Sequence, residues 1–294
     1  MKRIPVFLLV LCLALTAFGC AKSGAAEAKL TEGEMTPEQV IRLSLDVDTA
    51  DVMIQAGDAW HVEYALLSEP EISQDGGTLT LREPENKLNL NLGKLAAKPY
   101  VTVTVPDTVL ESGDITCDVG NVSVRGVDMG SLSVTLDVGN VNLLDLLLGS
   151  LKAAVDTGNL ELRGLKVESL AGLRTDTGNI ECERVSIGEA ISLEADTGNL
   201  ELEQVTVPRL QALCNVGDME LEDVLADVIE AQTDTGDIQL DLPGSLEQYA
   251  LDLQTDIGSV RVDDVKQDAH YITTGGDKIV TAKTDTGDVS VDFE

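Results

Sequence analysis

Aromatic residues make up only 3% of this 294-residue chain, and Trp60 is its single tryptophan. A core built with so few large rings must be aliphatic and narrow. Histidine occurs twice, at His61 and His270, far apart in the sequence. Five cysteines include no Cys-x-x-Cys pair and no neighbouring histidine, which excludes a zinc-finger spacing. Base is scarce: 20 Lys and Arg stand against 52 Asp and Glu, a net charge of −32. Such a surface repels nucleic acid and anionic lipid headgroups. It suits cationic partners or divalent metal, and it also simply keeps a protein soluble. No Arg-Gly-Asp tripeptide is present, and no stretch has the 3.6-residue apolar period of a helix.

What is there begins with "MKRIPVFLLVLCLALTAFGC". Lys2 and Arg3 precede a 13-residue apolar run, Val6 to Phe18, which falls short of the roughly 20 residues a membrane-spanning helix needs. A charged start and a short apolar middle are those of a secretory signal. Small residues then lead to Cys20 and a polar stretch, "AKSGAAEAK". This resembles a bacterial lipoprotein signal, with Ala17 where that motif usually has leucine. The resemblance implies cleavage after residue 19, lipid on the Cys20 sulfur, and a flexible tether over residues 20–35. Two or more acyl chains would anchor the protein stably in a membrane. Loss of residues 1–19 removes two bases and no acid, leaving 18 against 52 and a net charge of −34. Cys12 leaves with the signal. Cys117, Cys182 and Cys214 remain, an odd set with no disulfide framework.

The rest of the chain repeats itself. Asp-Thr-Gly-Asn and its variants align on Gly120, Gly139, Gly158, Gly178, Gly198, Gly217, Gly236, Gly258 and Gly287. The intervals are 19, 19, 20, 20, 19, 19, 22 and 29 residues. Two and four residues after each glycine stand apolar side chains, such as Leu160 and Leu162 or Ile180 and Cys182, around a polar one. That is the period of a half-buried strand. Alternation also precedes the glycine, as at Leu173 and Thr175, and a third apolar pair follows, as at Leu165 and Val167. Each repeat offers about three short strands, too small to bury its own apolar face. Stacked repeats bury a continuous column.

The expected fold is therefore all-β: a β-solenoid (β-helix) with about 19–20 residues per coil. Nine coils at about 4.8 Å make a rod of about 40 Å. Cys182 falls in a leucine slot, and Cys117 and Cys214 share a small-residue slot, so all three read as buried hydrophobes. Residues 36–106 lack the tight repeat, yet "WHVEYALL", "GTLTLRE" and "YVTVTVP" alternate as strands. They read as an irregular all-β N-terminal cap and first coils, with a degenerate corner at Asp48-Thr49-Ala50-Asp51. Residues 107–294 form the repeat solenoid, and the interval of 29 marks an insertion in a late coil.

The corner itself admits two readings. Glycine in third place suits a type II turn, and Asp in first place can accept backbone N–H bonds. Stacked copies would put Thr on Thr and Asn on Asn as hydrogen-bonding ladders. The other reading is calcium. Asp118, Asp137, Asp156, Asp176, Asp196, Asp234, Asp256 and Asp285 would form a carboxylate column, which Asn215 interrupts. Neighbours about 5 Å apart repel by roughly 1 kcal/mol even at water's dielectric constant. Calcium wants six to eight oxygens, and the calcium-binding β-helix repeat is nine residues long, so the spacing favours the structural corner. A second acidic strip, Glu161, Glu181, Glu201 and Glu220, falls on an exposed face, where it blocks sheet stacking.

Repeated "DTGN" and "DTGD", the strand "YVTVTVP" and the ending "TAKTDTGDVSVDF" are similar to a bacterial putative-adhesin family, defined as a domain of unknown function, over residues 38–294. The resemblance implies a β-solenoid exported to the cell envelope and brings no catalytic residues. Function then divides three ways. One is a non-enzymatic lipoprotein, facing outside the cytoplasm, that presents a rigid rod to a cell-wall polymer, an envelope protein or a host surface. Another is an envelope-stress or signalling accessory. The last is a polysaccharide-active enzyme, for which the sequence lacks clustered aromatic and basic residues for sugar.

Overall fold

The computed structural model describes residues 30–84 and 97–293. Among them, strands gather into two sheets of 14 and 15 strands. Each sheet carries an uninterrupted run of eleven parallel strands, about 50 Å along the stack. One coil contributes one strand to each sheet. In the Gly178 coil these are Leu170–Thr177 before the corner and Ile180–Glu183 after it. Alternation decides which side chains face inward. Ala171, Leu173 and Thr175 are buried in the first strand, and Ile180 and Cys182 in the second. Register is exact in side-chain terms: Leu173 pairs with Leu193, and Ile180 with Leu200. The buried aliphatics form one cluster running from Val40 to Val291, with Tyr64 and Tyr249 the aromatic members. Each fully buried Leu, Ile or Val adds roughly 1.5–3 kcal/mol.

The third short strand is real but slight. Lys166–Val167 and Ser186–Ile187 pair with each other, and Thr206 and Leu225 continue the line as single bridges. A second corner precedes it, and the repeat motif did not reveal it. Gly126, Asp145, Gly164, Arg184, Gln204 and Asp223, each six residues after its corner glycine, have φ between 53° and 66°. Asp and Gly tolerate that left-handed conformation well, and Arg and Gln less so.

Two features depart from sequence order. The coil with the degenerate corner, Arg42–Thr49 and Asp51–Ala56, is one of the expected first coils and stacks directly on the Gly120 coil. Thr78–Arg82 and Tyr100–Val105 lie outside it. At the other end the Gly287 coil, Lys278–Thr286 and Val289–Phe293, sits between the Gly236 and Gly258 coils. The interval of 29 is thus not a simple insertion within an ordered stack. The chain completes the Gly258 coil, rounds the end and returns into the stack.

The tether expected over residues 20–35 also needs correction at its end. Thr31–Met35 is a strand, antiparallel to His61–Leu66, and of the expected tether only residues 20–29 lie outside the described residues. Each sheet finishes at both ends in an antiparallel strand: Thr31–Met35 and Glu71–Asp75 at one end, Val265–Gln267 and His270–Ile272 at the other. These antiparallel strands cover the edges of the last parallel rungs.

Candidate functional site

The repeated corner is where the sequence concentrates its invariant chemistry. Eight of the nine corner glycines, from Gly120 to Gly236 and Gly287, have φ between 142° and 156°. This is more extended than the roughly +80° of a type II turn, so that expectation fails in detail. The requirement for glycine is nevertheless strict. A Cβ on Gly198 would lie 1.9 Å from the Gly178 carbonyl oxygen, and one on Gly139 would lie 1.6 Å from that of Gly120. The coils touch through their glycine backbones.

The fourth corner residue supplies a side-chain oxygen that binds the backbone of the next coil. Asn121 Oδ1 accepts the backbone N–H of Asn140 at 3.1 Å, Asn140 that of Asn159 at 2.9 Å, and Asn159 that of Asn179 at 2.8 Å. The ladder continues through Asn199 and Asp218 to Asp237. It then passes to Asp288 and ends on Ser259. Only an acceptor oxygen is needed, which explains why Asn and Asp interchange. At Asp288 the Ser259 N–H holds the carboxyl below its ordinary range. Three residues before the glycine, buried hydroxyls and thiols cap the corner carbonyls. Thr175 donates to Gly158 O at 3.1 Å, Thr284 to Gly236 O at 2.9 Å, and Cys214 to Gly198 O at 3.2 Å. Cys117 does the same to Ala50 O at 3.4 Å. Burial pushes the Cys117 and Cys182 thiols up to about 12. All three described cysteines are free.

The first-place aspartates line the outer face in register beside the corner, in every coil from Gly120 onward except the Gly217 coil, which has Asn215. Arg174 gathers Asp176 at 3.0 Å, Glu194 at 3.2 Å and Asp196 at 3.5 Å. Asn215, which interrupts the column, donates to Asp196 at 3.4 Å. Among the described residues no group of three or more His, Cys, Asp or Glu gathers as metal ligands.

The strip Glu161, Glu181, Glu201 and Glu220 lies in exact pairing on the opposite sheet, beside a second column, Glu183, Glu203 and Glu222. Glu181, Glu201 and Glu220 of the strip, the second column and Arg163 line a shallow groove of about 330 Å³. Partial burial, then the Glu181 and Glu220 charges, push the Glu201 carboxyl up. A second groove, of about 500 Å³ and more apolar, is lined by Thr49, Ala50, Pro99, Val119 and Val138 at the N-terminal corners.

Glu83 was not singled out by sequence, although alternation in "TLTLRE" puts it on the inward face with Leu79 and Leu81. It is 3% exposed. One carboxylate oxygen accepts the Leu67 and Ser68 N–H groups at 3.0 and 3.1 Å, and the other accepts Asp48 and Thr49 at 3.2 and 3.4 Å. It satisfies the first two backbone donors of the degenerate corner, while the ladder itself begins at Asp51, whose Oδ1 accepts the Asn121 N–H and whose own N–H donates to Pro99 O. Burial outweighs the bonds to Glu83 and raises its pKa. His270 contacts Asp252 at 2.9 Å on the surface, and His61 lies in the strand paired with Tyr100–Val105, so the two histidines form no common site. Cys20, the expected lipidation site, lies outside the described residues.

The family described as Toastrack DUF4097 matches residues 40–292. The chain belongs to this family. Its Toastrack domain therefore takes in the degenerate first coil as well as the Gly287 and Gly258 coils. No curated protein matches the chain. Among solved structures, a putative adhesin from Bacteroides fragilis is 14% identical, with 90% of this chain and 97% of that one covered and a TM-score of 0.45. A putative cell adhesion protein from Clostridium sporogenes is 10% identical over 90% and 100%, with a TM-score of 0.24. A putative lipid binding protein from Parabacteroides distasonis is 13% identical over 90% and 97%, with a TM-score of 0.28.

Proposed function

We propose that this Toastrack protein is a non-enzymatic surface lipoprotein. Cys20 carries the lipid anchor, and the solenoid is a stiff platform held outside the cytoplasm for adhesion or envelope contacts. The observation that carries this reading is the commitment of the repeated corner to the stack. Its glycines give close approach, its Asn and Asp oxygens bind the next coil, and its buried Thr and Cys cap the carbonyls. The most repetitive chemistry in the chain thus builds a scaffold. The long faces beside it remain open to a partner. Support for the anchor comes from the charged start, the short apolar run and the small residues before Cys20.

Co-sedimentation with isolated cell walls tests the contact, with calcium in one arm and chelator in the other. Pelleting in both arms supports wall binding through the scaffold faces. Pelleting with calcium alone moves the site to the aspartate column. No pelleting in either arm removes the wall as partner. Radiolabelled fatty acid incorporation, lost in Cys20→Ser, tests the anchor separately.

A further inference from the structure

The Gly287 coil sits in a slot with two matching walls. Lys278–Thr286 pairs in parallel with Val228–Thr235 on one side and with Tyr249–Ile257 on the other. Val289–Phe293 does the same between Ile238–Leu242 and Val260–Val262. The walls offer the inserted coil the same contacts as any two neighbours in the rod. Thr284 donates to Gly236 O, and Thr255 donates to Gly287 O. Nothing in these contacts requires that the inserted coil come from the same chain.

The connection to the preceding chain is a single loop, residues 273–277. Gly275 has φ +120°, and a Cβ there would meet nothing within 4 Å. Its neighbour Gly276 is pinned, since a Cβ would lie 2.2 Å from the Tyr249 nitrogen. Tyr249 also holds both ends of the coil. Its ring centroid lies 5.1 Å from that of Phe293, and the Lys278 ammonium stands 5.1 Å from the same ring. Gly275 offers a hinge, and the ladders and side-chain bonds lost when the coil leaves re-form in the identical slot of another copy. The same end of the rod exposes large aliphatics: Ile257 at 70%, Val265 at 60%, Ile272 at 59% and Ile279 at 49%.

The geometry points to the Gly287 coil as an exchangeable unit: two copies of this chain join at this end by trading Lys278–Phe293. Each slot is filled in both the separate and the joined form, so the exchange keeps every contact of the coil.

Cysteine pairing across the slot reads this directly. Gln232 and Lys283 are register partners on neighbouring parallel strands, within disulfide reach. Full chains carrying Gln232→Cys or Lys283→Cys, both with Cys12→Ser and Cys20→Ser, are mixed and incubated in a glutathione buffer. The native buried thiols stay protonated and silent. The expected result is a covalent heterodimer joined through positions 232 and 283, several-fold above that of an Arg174→Cys and Lys283→Cys control mixture. Tyr249→Ala should speed its appearance. Should that variant fail to fold, Gly276→Ala loosens the same loop. The double variant Gln232→Cys, Lys283→Cys on one chain must cross-link within itself. Internal cross-linking with no heterodimer above control overturns the exchange. Absence of the internal cross-link overturns the insertion on which it rests.

Discussion

The side-chain oxygen of Asn179 accepts the backbone N–H of Asn199 at 2.9 Å, one coil to the next, and the same bond recurs at nearly every corner of the rod. Asn179→Ala removes this acceptor and leaves a backbone donor to solvent or to nothing. The expected loss is about 1 kcal/mol in urea-monitored unfolding. Asn179→Asp keeps the oxygen and should cost far less, as the natural Asp218 and Asp237 do.

Corner glycines should be the least replaceable positions. Gly198→Ala puts a Cβ 1.9 Å from a backbone oxygen and should abolish cooperative folding or lower stability by roughly 3 kcal/mol or more. Gly172 is the control within the same sheet. Its Cβ would meet nothing within 4 Å, and Gly172→Ala should be neutral or stabilising by about 0.4–1 kcal/mol. Paired thermal melts separate the two.

The acidic columns predict an unusual response to pH. Partial burial and then the Glu181 and Glu220 charges raise the Glu201 pKa above its value in the unfolded chain, and the exposed Glu222, among Glu203, Asp223 and Asp241, shifts the same way. The native state therefore holds protons more tightly. This contribution grows as pH falls from neutral through the raised values, and it is complete below the unfolded value. Melting temperature should rise on mild acidification and on adding salt at pH 7. Glu201→Gln should raise it at pH 7 and flatten the pH response. A melting temperature that falls steadily from pH 7 to pH 5 would falsify this account of the columns.

Glu83→Leu should strand four backbone donors beside the degenerate corner, at roughly 1–3 kcal/mol for each one left unsatisfied. Hydrogen exchange is the sharper readout. Protection should fall at Leu67 and Ser68 while the Gly198 coil stays protected.

How much of this was legible follows from what repeats. Period, alternation and the glycine requirement are local, so the strands, the inward slots of Cys117, Cys182 and Cys214, and the Asn ladder follow from spacing alone. The second corner was missed because Asp145, Arg184 and Gln204 share a backbone conformation but not a residue type. Coil order at the ends was missed for a different reason. Thr233, Thr255 and Thr284 occupy identical slots, so a sequence cannot say which of the three coils lies in the middle. Glu83 was overlooked because a charged residue ending a strand reads as solvated, and only its four donors reveal otherwise.

The contact of glycine backbone on glycine backbone has a mechanical side. A helix advances about 30 Å in 20 residues, whereas this rod advances about 4.8 Å for the same length of chain. Nearly all of the polypeptide goes into girth and rigidity, very little into reach. An anchor placed before Thr31 would thus hold a short, stout post. Its working surface would stay within a few nanometres of the anchoring layer, turned sideways along the wall of the rod as much as outward from its tip.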